Sequence, residues 1–176
     1  MTYYGAKELA ASLRVVRKNT LQIAEDIPEA QYGFRPTPDS RSVAEVLAHI
    51  AVGYRFQQVV HAEERRTTLA GIDFPALITR FREEEARLTG KAQIVDALKR
   101  NGEAWAAWIE GLKDDFLAER VEMPGEPPSS KSRFEMQLST KEHEMHHRGQ
   151  LMLIERLLGI VPHLTRERQA RAQAQR

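Results

Sequence analysis

The sequence predicts an all-α protein, an antiparallel four-helix bundle with a short extra helix. Four long segments place apolar residues at alternating steps of three and four, which is the spacing of one buried helix face. Proline and glycine mark the loops between these segments, and no segment has the alternating pattern of a strand. Helices with one apolar face each are stable when those faces are buried against one another, which favours a bundle.

The first two helices are separated by a loop that contains several prolines. The first helix is predicted from about residue 3 to residue 27, and residues 29–40 form the loop. Ser42 and Glu45 have the spacing of a capping box, in which each side chain bonds a backbone amide of the other residue. The second helix is therefore predicted from residue 43 to about residue 68.

The middle of the chain is predicted to hold the extra helix and the third long helix. Asp73 is placed to cap a shorter helix over residues 74–88. The third long helix begins at Lys91 and carries its apolar stripe as far as Leu112.

The last long helix is predicted over residues 134–158, after a proline-rich loop at residues 121–131. Gly159 is its predicted C-cap. The bundle domain is then residues 1–164. Residues 165–176 are polar and arginine-rich, which indicates a tail that is either a frayed helix or disordered.

Composition and charge restrict the classes of function. The 176 residues are enough for one domain with its own core. The formal net charge of +1 gives no global field that would attract nucleic acid or an anionic membrane, so we expect neither partner. Cysteine is absent, which excludes disulfides and a protein thiolate and is compatible with the cytoplasm, where we expect the protein. No apolar run approaches the roughly 20 residues needed to span a bilayer.

The strongest functional signal is a group of histidines in the last long helix. His143 and His147 are one turn apart, so both can bind one metal ion. At about 100° per residue, His147 lies about 40° from His143, and both fall within the apolar stripe that faces the core. Gln150, on the same face, is the candidate catalytic residue, because it can orient a ligand or the bound nucleophile; a buried amide between helices is the alternative. His146, at the edge of the stripe, is expected to support a ligand, contact substrate or lie at the surface.

His49 is the candidate for a third metal ligand. It lies on the apolar face of the second helix, and Gly53, one turn later, leaves space beside an ion, allows a close helix contact or marks a kink. With the histidine pair of the last helix it makes a divalent metal site with an open fourth position, for which zinc or nickel is most compatible. Three separately satisfied core histidines are the alternative. His61 and His163 are predicted to be surface or boundary residues.

Two other metal motifs fit the sequence less well. His143-Glu144-x-x-His147 matches the zincin peptidase pattern, in which the glutamate activates water. However, no third histidine follows at the required spacing, and no strand-rich region is evident to hold a peptide. A ferritin-like di-iron centre needs two Glu-x-x-His units, and the step from Glu45 to His49 is one residue too long. Glu144 is then expected at the solvent edge of its helix.

Two motifs resemble the DinB-like superfamily. The first is SVAEVLAHI at residues 42–50, and the second is HxxxHRGQL at residues 143–151. The loop at residues 27–38 is also similar to that family. One departure is that Ser40 and Arg41 stand where the family often has a tryptophan.

The resemblance implies an antiparallel four-helix bundle, commonly a homodimer, in which His49, His143 and His147 bind a divalent metal ion. Relatives include metal-dependent S-transferases that use bacillithiol or mycothiol, and a mycothiol-dependent maleylpyruvate isomerase. We therefore expect an enzyme that activates a low-molecular-weight thiol or water for transfer or hydrolysis on a small electrophilic substrate. Because the chain has no cysteine, a thiolate must arrive with a small cosubstrate. A non-catalytic bundle that senses or sequesters metal ions is the alternative.

Overall fold

A computed structural model describes residues 4–175 of the chain. The helices are α1 (Ala6–Asp26), α2 (Val43–Val52), α3 (Arg55–Gln57), α4 (Phe74–Ala86), α5 (Lys91–Glu110), α6 (Asp114–Ala118), α7 (Arg133–Leu157) and α8 (His163–Ala174). The strands are β1 (Arg120–Met123) and β2 (Ser129–Ser132). The predicted start of the first helix at residue 3 lies outside the described residues. Within them, no helix combines the length and the apolar character needed to cross a bilayer.

Helices α1, α2, α5 and α7 form the bundle. α1 packs against α5 and α7, and α2 packs against the same two helices. The core includes the fully buried side chains of Leu47, Leu98 and Leu151. α4 packs against α2 outside the bundle, and none of its residues is buried. The predicted all-α fold, a four-helix bundle with a short extra helix, is confirmed.

Three predicted helix caps are present. The amide of Glu45 donates to Oγ of Ser42 at 3.2 Å, and the amide of Ser42 donates to Oε2 of Glu45 at 2.9 Å, which completes the capping box. Asp73 Oδ1 accepts from the amide of Ala76 at 2.9 Å at the start of α4. Gly159 follows α7 with φ of 77°, the left-handed conformation that favours glycine at a helix end. Local sequence therefore sets where these helices begin and end.

The second predicted helix, residues 43–68, is not continuous. α2 ends at Val52, and after a bend the chain resumes as α3 and passes into a π-helix at Gln58–Glu63. Three consecutive residues of this segment are buried: Val59, Val60 and His61. On a regular α-helix three consecutive residues spread over about 200°, which is wider than one packed face. The wider π turn brings them into the interior together.

The loop predicted at residues 121–131 contains a short hairpin. β1 and β2 pair antiparallel, with Arg120 opposite Ser132 at the open end. Val121 is the one buried residue of β1, and β2 has none. Strands this short, with a single buried side chain, leave no alternating pattern in the sequence, which is why the prediction missed them.

Two histidines that were predicted to be surface or boundary residues, His61 and His163, are buried. His61 donates from Nε2 to Oε1 of Gln57 at 2.8 Å, and its Nδ1 accepts from Nη1 of Arg133 at 2.8 Å. Burial, together with the Arg133 charge, lowers the pKa of His61 to about 4, so this ring is neutral at pH 7. His163, also buried, donates from Nε2 to Oδ1 of Asn19 at 3.2 Å. The π-helix and the return of α8 onto α1 bury these side chains, and neither feature was predicted.

α8 includes most of the predicted polar tail, residues 165–176. Of the two expected forms, the helical one is found, and α8 runs to Ala174 with most of its side chains exposed. Arg166 pairs with Asp26 of α1 at 2.6 Å. The division of the chain after residue 164 remains a prediction, and α8 crosses it.

Candidate metal centre

Three histidine rings from two packed helices meet in one group. His49 lies on α2, and His143 and His147 lie one turn apart on α7. Nε2 of His143 is 3.0 Å from Nε2 of His49 and 3.2 Å from Nε2 of His147. A tetrahedral zinc ion holds imidazole nitrogens at about 2.0–2.1 Å, and therefore about 3.3 Å from one another. The spacing of this histidine group matches that of a metal-binding site.

Hydrogen bonds on the outer side of two rings direct their lone pairs inward. Nδ1 of His49 donates to Oε1 of Glu85 at 2.7 Å, and Nδ1 of His147 donates to Oε1 of Gln150 at 2.8 Å. A neutral imidazole with its proton on Nδ1 has a lone pair on Nε2, so both Nε2 atoms face His143 as acceptors. His143 can direct only one N–H toward these two nitrogens, so it cannot donate a hydrogen bond to both of them. A cation between the rings can interact with both lone pairs. These residues therefore fit a divalent ion.

Gln150, the candidate catalytic residue, lies at the surface and not in a buried helix contact. Its Oε1 accepts the bond from His147, and its Nε2 donates to Nε2 of His146 at 3.1 Å. This chain of bonds fixes the proton position and the orientation of the His147 ring. The observed contacts are those of a positioning residue. A direct catalytic role for Gln150 remains a prediction.

Glu85 is a residue of the site that sequence reasoning missed. It belongs to α4, a helix outside the bundle, and stands third in a run of glutamates at residues 83–85. Nothing in that run distinguishes one carboxylate from its neighbours. Only the packing of α4 against α2 brings Glu85 to His49, where it forms the carboxylate–histidine pair that accompanies many metal ligands.

Replacement of Glu85 by glutamine is expected to weaken divalent metal binding by about 10–100-fold, because the His49 ring loses its charged partner. The fold should be retained, since α4 contributes no buried residue. Competition with a chromophoric chelator measures the affinity. Glu83→Gln, an exposed neighbour on the same helix, is the matched control. Equal affinities in the two variants would exclude this role for Glu85.

Gly53 provides the space that the His143 ring occupies. A Cβ atom at Gly53 would lie 3.0 Å from both Cε1 and Nδ1 of His143 and 3.2 Å from the carbonyl oxygen of His49. Its φ of −57° is open to any residue, so the requirement for glycine here is one of space and not of backbone conformation. Of the alternatives that the sequence left open, the close contact and the bend after α2 are found.

The environment keeps the rings in the form that binds metal. Burial lowers the pKa of His143 to about 4, and the neighbouring His147 and His49 add to the effect. Burial also lowers the pKa of His147, although the bond to Gln150 acts in the opposite direction. The Arg41 guanidinium contributes a smaller lowering to the pKa of both rings. The His143 ring is therefore neutral at pH 7, and the lowered pKa of His147 favours its neutral form, which keeps a lone pair for a cation.

An open cavity of about 570 Å³ adjoins the histidine group and includes His49, His147 and Gln150 in its wall. Much of the remaining wall is apolar and consists of Pro36, Val46, Leu153 and Ile154. Pockets for small molecules measure about 300–1,000 Å³ and combine apolar walls with a few polar groups. A second cavity, of about 240 Å³, adjoins His49 and His143. The histidine group is thus accessible to a small ligand.

Glu144 is turned away from the histidine group, contrary to the zincin arrangement. It is buried and not at the solvent edge, and its carboxylate accepts two bonds from Arg17 at 2.9 Å and one from Thr20 at 2.7 Å, both on α1. A carboxylate held in this way cannot activate water at the histidine nitrogens. Glu45 is similarly occupied by its helix cap and by an ion pair with Arg35, so a di-iron centre is not formed either.

The fold is similar to several solved structures. The DinB-like protein YjoA of Bacillus subtilis is 20% identical, with a TM-score of 0.63 over 86% of this chain and 92% of that one. YfiT of Bacillus subtilis, described as a probable metal-dependent hydrolase with an unusual four-helix bundle topology, is 14% identical, with a TM-score of 0.67 over 91% of each chain. The colibactin self-resistance protein ClbS, solved in complex with a dsDNA, is 16% identical, with a TM-score of 0.65 over 89% and 98% of the chains. At these identities the likeness shows the fold alone.

The sequence itself identifies the family. No curated protein matches the chain at a significant level. The family model of the DinB superfamily matches residues 12–151, a range that contains His49, His143 and His147. This match extends over most of the chain and confirms the resemblance seen in the two histidine motifs. The chain belongs to the DinB superfamily.

Proposed function

We propose that this protein is a metal-dependent enzyme in which His49, His143 and His147 bind one divalent ion, zinc or nickel. The supporting observation is the convergence of three Nε2 atoms, at 3.0 and 3.2 Å, beside an open cavity. A divalent ion bound there would act as a Lewis acid and lower the pKa of a coordinated water or thiol toward neutrality. The proposed reaction is transfer or hydrolysis on a small electrophilic substrate.

The residues of the chain have separate tasks in this proposal. Glu85 and Gln150 hold the rings of His49 and His147 with their lone pairs inward. The apolar cavity wall binds the uncharged part of the substrate and excludes water from the reacting group. The chain contains no cysteine, so in the transferase form of the reaction the nucleophilic sulfur belongs to a low-molecular-weight thiol cosubstrate.

The arrangement supports an enzyme over a bundle that only stores or senses metal. Structural zinc sites close the coordination shell with four protein ligands, whereas catalytic sites keep an open position. Among residues 4–175, the metal-binding group comprises three histidines, next to a cavity. The proposed partner is therefore a small molecule. The homodimer, the cytoplasmic location and the absence of a nucleic-acid partner remain predictions.

Metal analysis combined with a turnover assay tests this proposal. Protein purified without an affinity tag or chelator is expected to contain one divalent ion per chain. It should accelerate either the reaction of 1-chloro-2,4-dinitrobenzene with a small thiol or the hydrolysis of p-nitrophenyl acetate. Removal of the ion should abolish turnover, and zinc or nickel should restore it. Metal-free protein as isolated, or turnover that is unaffected by removal of the ion, would contradict the proposal.

A further inference from the structure

We propose that Arg41 binds an anionic group, a carboxylate or phosphate, on the small molecule that reacts at the three-histidine site. This inference rests on the proposed function of that site. It adds the chemical class of the ligand: a small molecule with an apolar segment between its reacting group and its negative charge.

The position of Arg41 places its charge beside the histidine group. Arg41 immediately precedes Ser42, the N-cap of α2, and lines both the cavity that includes His49 and His147 and the one that includes His49 and His143. A ligand bound in either cavity can therefore lie against this residue.

Arg41 is also available to a ligand, unlike Arg35 and Arg55, which are held in ion pairs. Among residues 4–175, its guanidinium forms no hydrogen bond or ion pair with another side chain. Arg35 pairs with Glu45, and Glu85 is bonded to His49, so both carboxylates that line a cavity with Arg41 are already occupied. An exposed, unpaired guanidinium at a cavity wall has free donors in the planar arrangement that matches carboxylate and phosphate.

The rest of the wall limits what else the ligand can be. Val46, Leu153 and Ile154 give the larger cavity an apolar surface, and its volume of about 570 Å³ admits only a small molecule. A ligand that satisfies both the guanidinium and this surface carries one charged end and an apolar body. Its reacting group then lies at the histidines.

Thiol probes on cobalt-substituted protein test the inference by binding and not by turnover. The two probes are 3-mercaptopropionate and its neutral amide, 3-mercaptopropionamide, which have the same length and the same metal-binding sulfur. The cobalt–thiolate absorption band reports the dissociation constant of each. Wild-type protein is expected to prefer the anion by about 10-fold, the scale of a charged hydrogen-bonded pair. In Arg41→Gln the preference should fall below about 2-fold, while cobalt content is unchanged.

Arg100→Gln is the matched control, because Arg100 is exposed on α5 and pairs with Asp96 on its own helix. It should keep the preference for the anion. Equal binding of both probes by wild-type protein, or an unchanged preference in Arg41→Gln, would overturn this inference alone. Protein that takes up no cobalt would overturn the proposed function together with the inference, whereas cobalt-loaded protein that gives no thiolate band with either probe would overturn the inference alone.

Discussion

Replacement of His49 by alanine is expected to weaken divalent metal binding by more than about 100-fold. Loss of a residue that only hydrogen-bonds to a ligand typically weakens binding by about 10–100-fold, and loss of the ligand itself should weaken it further. His49 is also the one member of the histidine group that α2 supplies, so its loss leaves only the pair on α7. Turnover of an electrophile in the presence of a thiol should be lost with the ion. Metal content by mass spectrometry and competition with a chromophoric chelator provide the measurement.

The control for this variant is Glu142→Ala. Glu142 is exposed on α7 next to His143, but it is not a member of the converging group. It should retain the wild-type metal content, and circular dichroism should show that both variants remain helical. If His49→Ala binds the ion as tightly as wild type, His49 is not a ligand and the proposed centre is wrong.

Replacement of Glu144 by glutamine is expected to lower the free energy of unfolding by about 3–5 kcal/mol and to leave metal binding intact. The pair with Arg17 is largely buried, since the two side chains are 12% and 4% exposed. Removal of one partner leaves a guanidinium that is desolvated without its counter-charge, which accounts for a loss of this size. Urea unfolding followed by circular dichroism measures the change.

A double variant separates the ion pair from its surroundings. Arg17→Met combined with Glu144→Leu should be markedly more stable than Glu144→Gln alone, because apolar residues of similar volume can replace a buried pair at little loss. A peptidase mechanism requires the opposite pattern, with unchanged stability and no activity in Glu144→Gln. Wild-type stability of Glu144→Gln would show that the pair contributes nothing to the fold.

Much of the bundle could be predicted because periodicity reports which side of a helix is apolar. In α1 the residues that recur at steps of three and four are all buried, as expected for the stripe of a bundle helix: Leu9, Leu13, Val16, Thr20 and Ile23. The same reasoning placed His49, His143 and His147 on inward faces, and the packing of α2 against α7 then brings them together. Periodicity does not show whether these three residues bind an ion.

Periodicity failed where a helix has more than one packed face. The sequence indicated a single inward stripe on α7, and Glu144 was expected at the solvent edge of that helix. α7 in fact packs against both α1 and α2, so the side of the helix that bears Glu144 is covered by α1. Glu155 is fully buried, and burial raises its pKa to about 7. Which neighbours cover a helix is decided by the tertiary arrangement, and the residues of that helix alone do not show it.

Glu85 illustrates the same limit at the site itself. Its partner, His49, lies 36 residues earlier on a different helix, and no spacing rule connects them. A metal ligand on a bundle helix can be inferred because periodicity shows that it lies on the inward face of that helix. The residue that orients the ligand can come from any nearby element. The glutamate run on α4 has the composition of a solvated surface, and most residues of α4 are indeed exposed.

The peripheral position of α4 connects the chemistry of the centre to local unfolding. Helices without buried side chains detach at a free energy well below that of global unfolding, and α4 is fixed to the bundle partly through Glu84 with Arg55 and Glu85 with His49. Linkage is reciprocal, so if docking of α4 strengthens a metal ligand, a bound ion must hold α4 in place by the same factor. Hydrogen-exchange rates along this one helix would then fall when the centre is occupied and rise when the ion is removed, while those of the bundle core would not change.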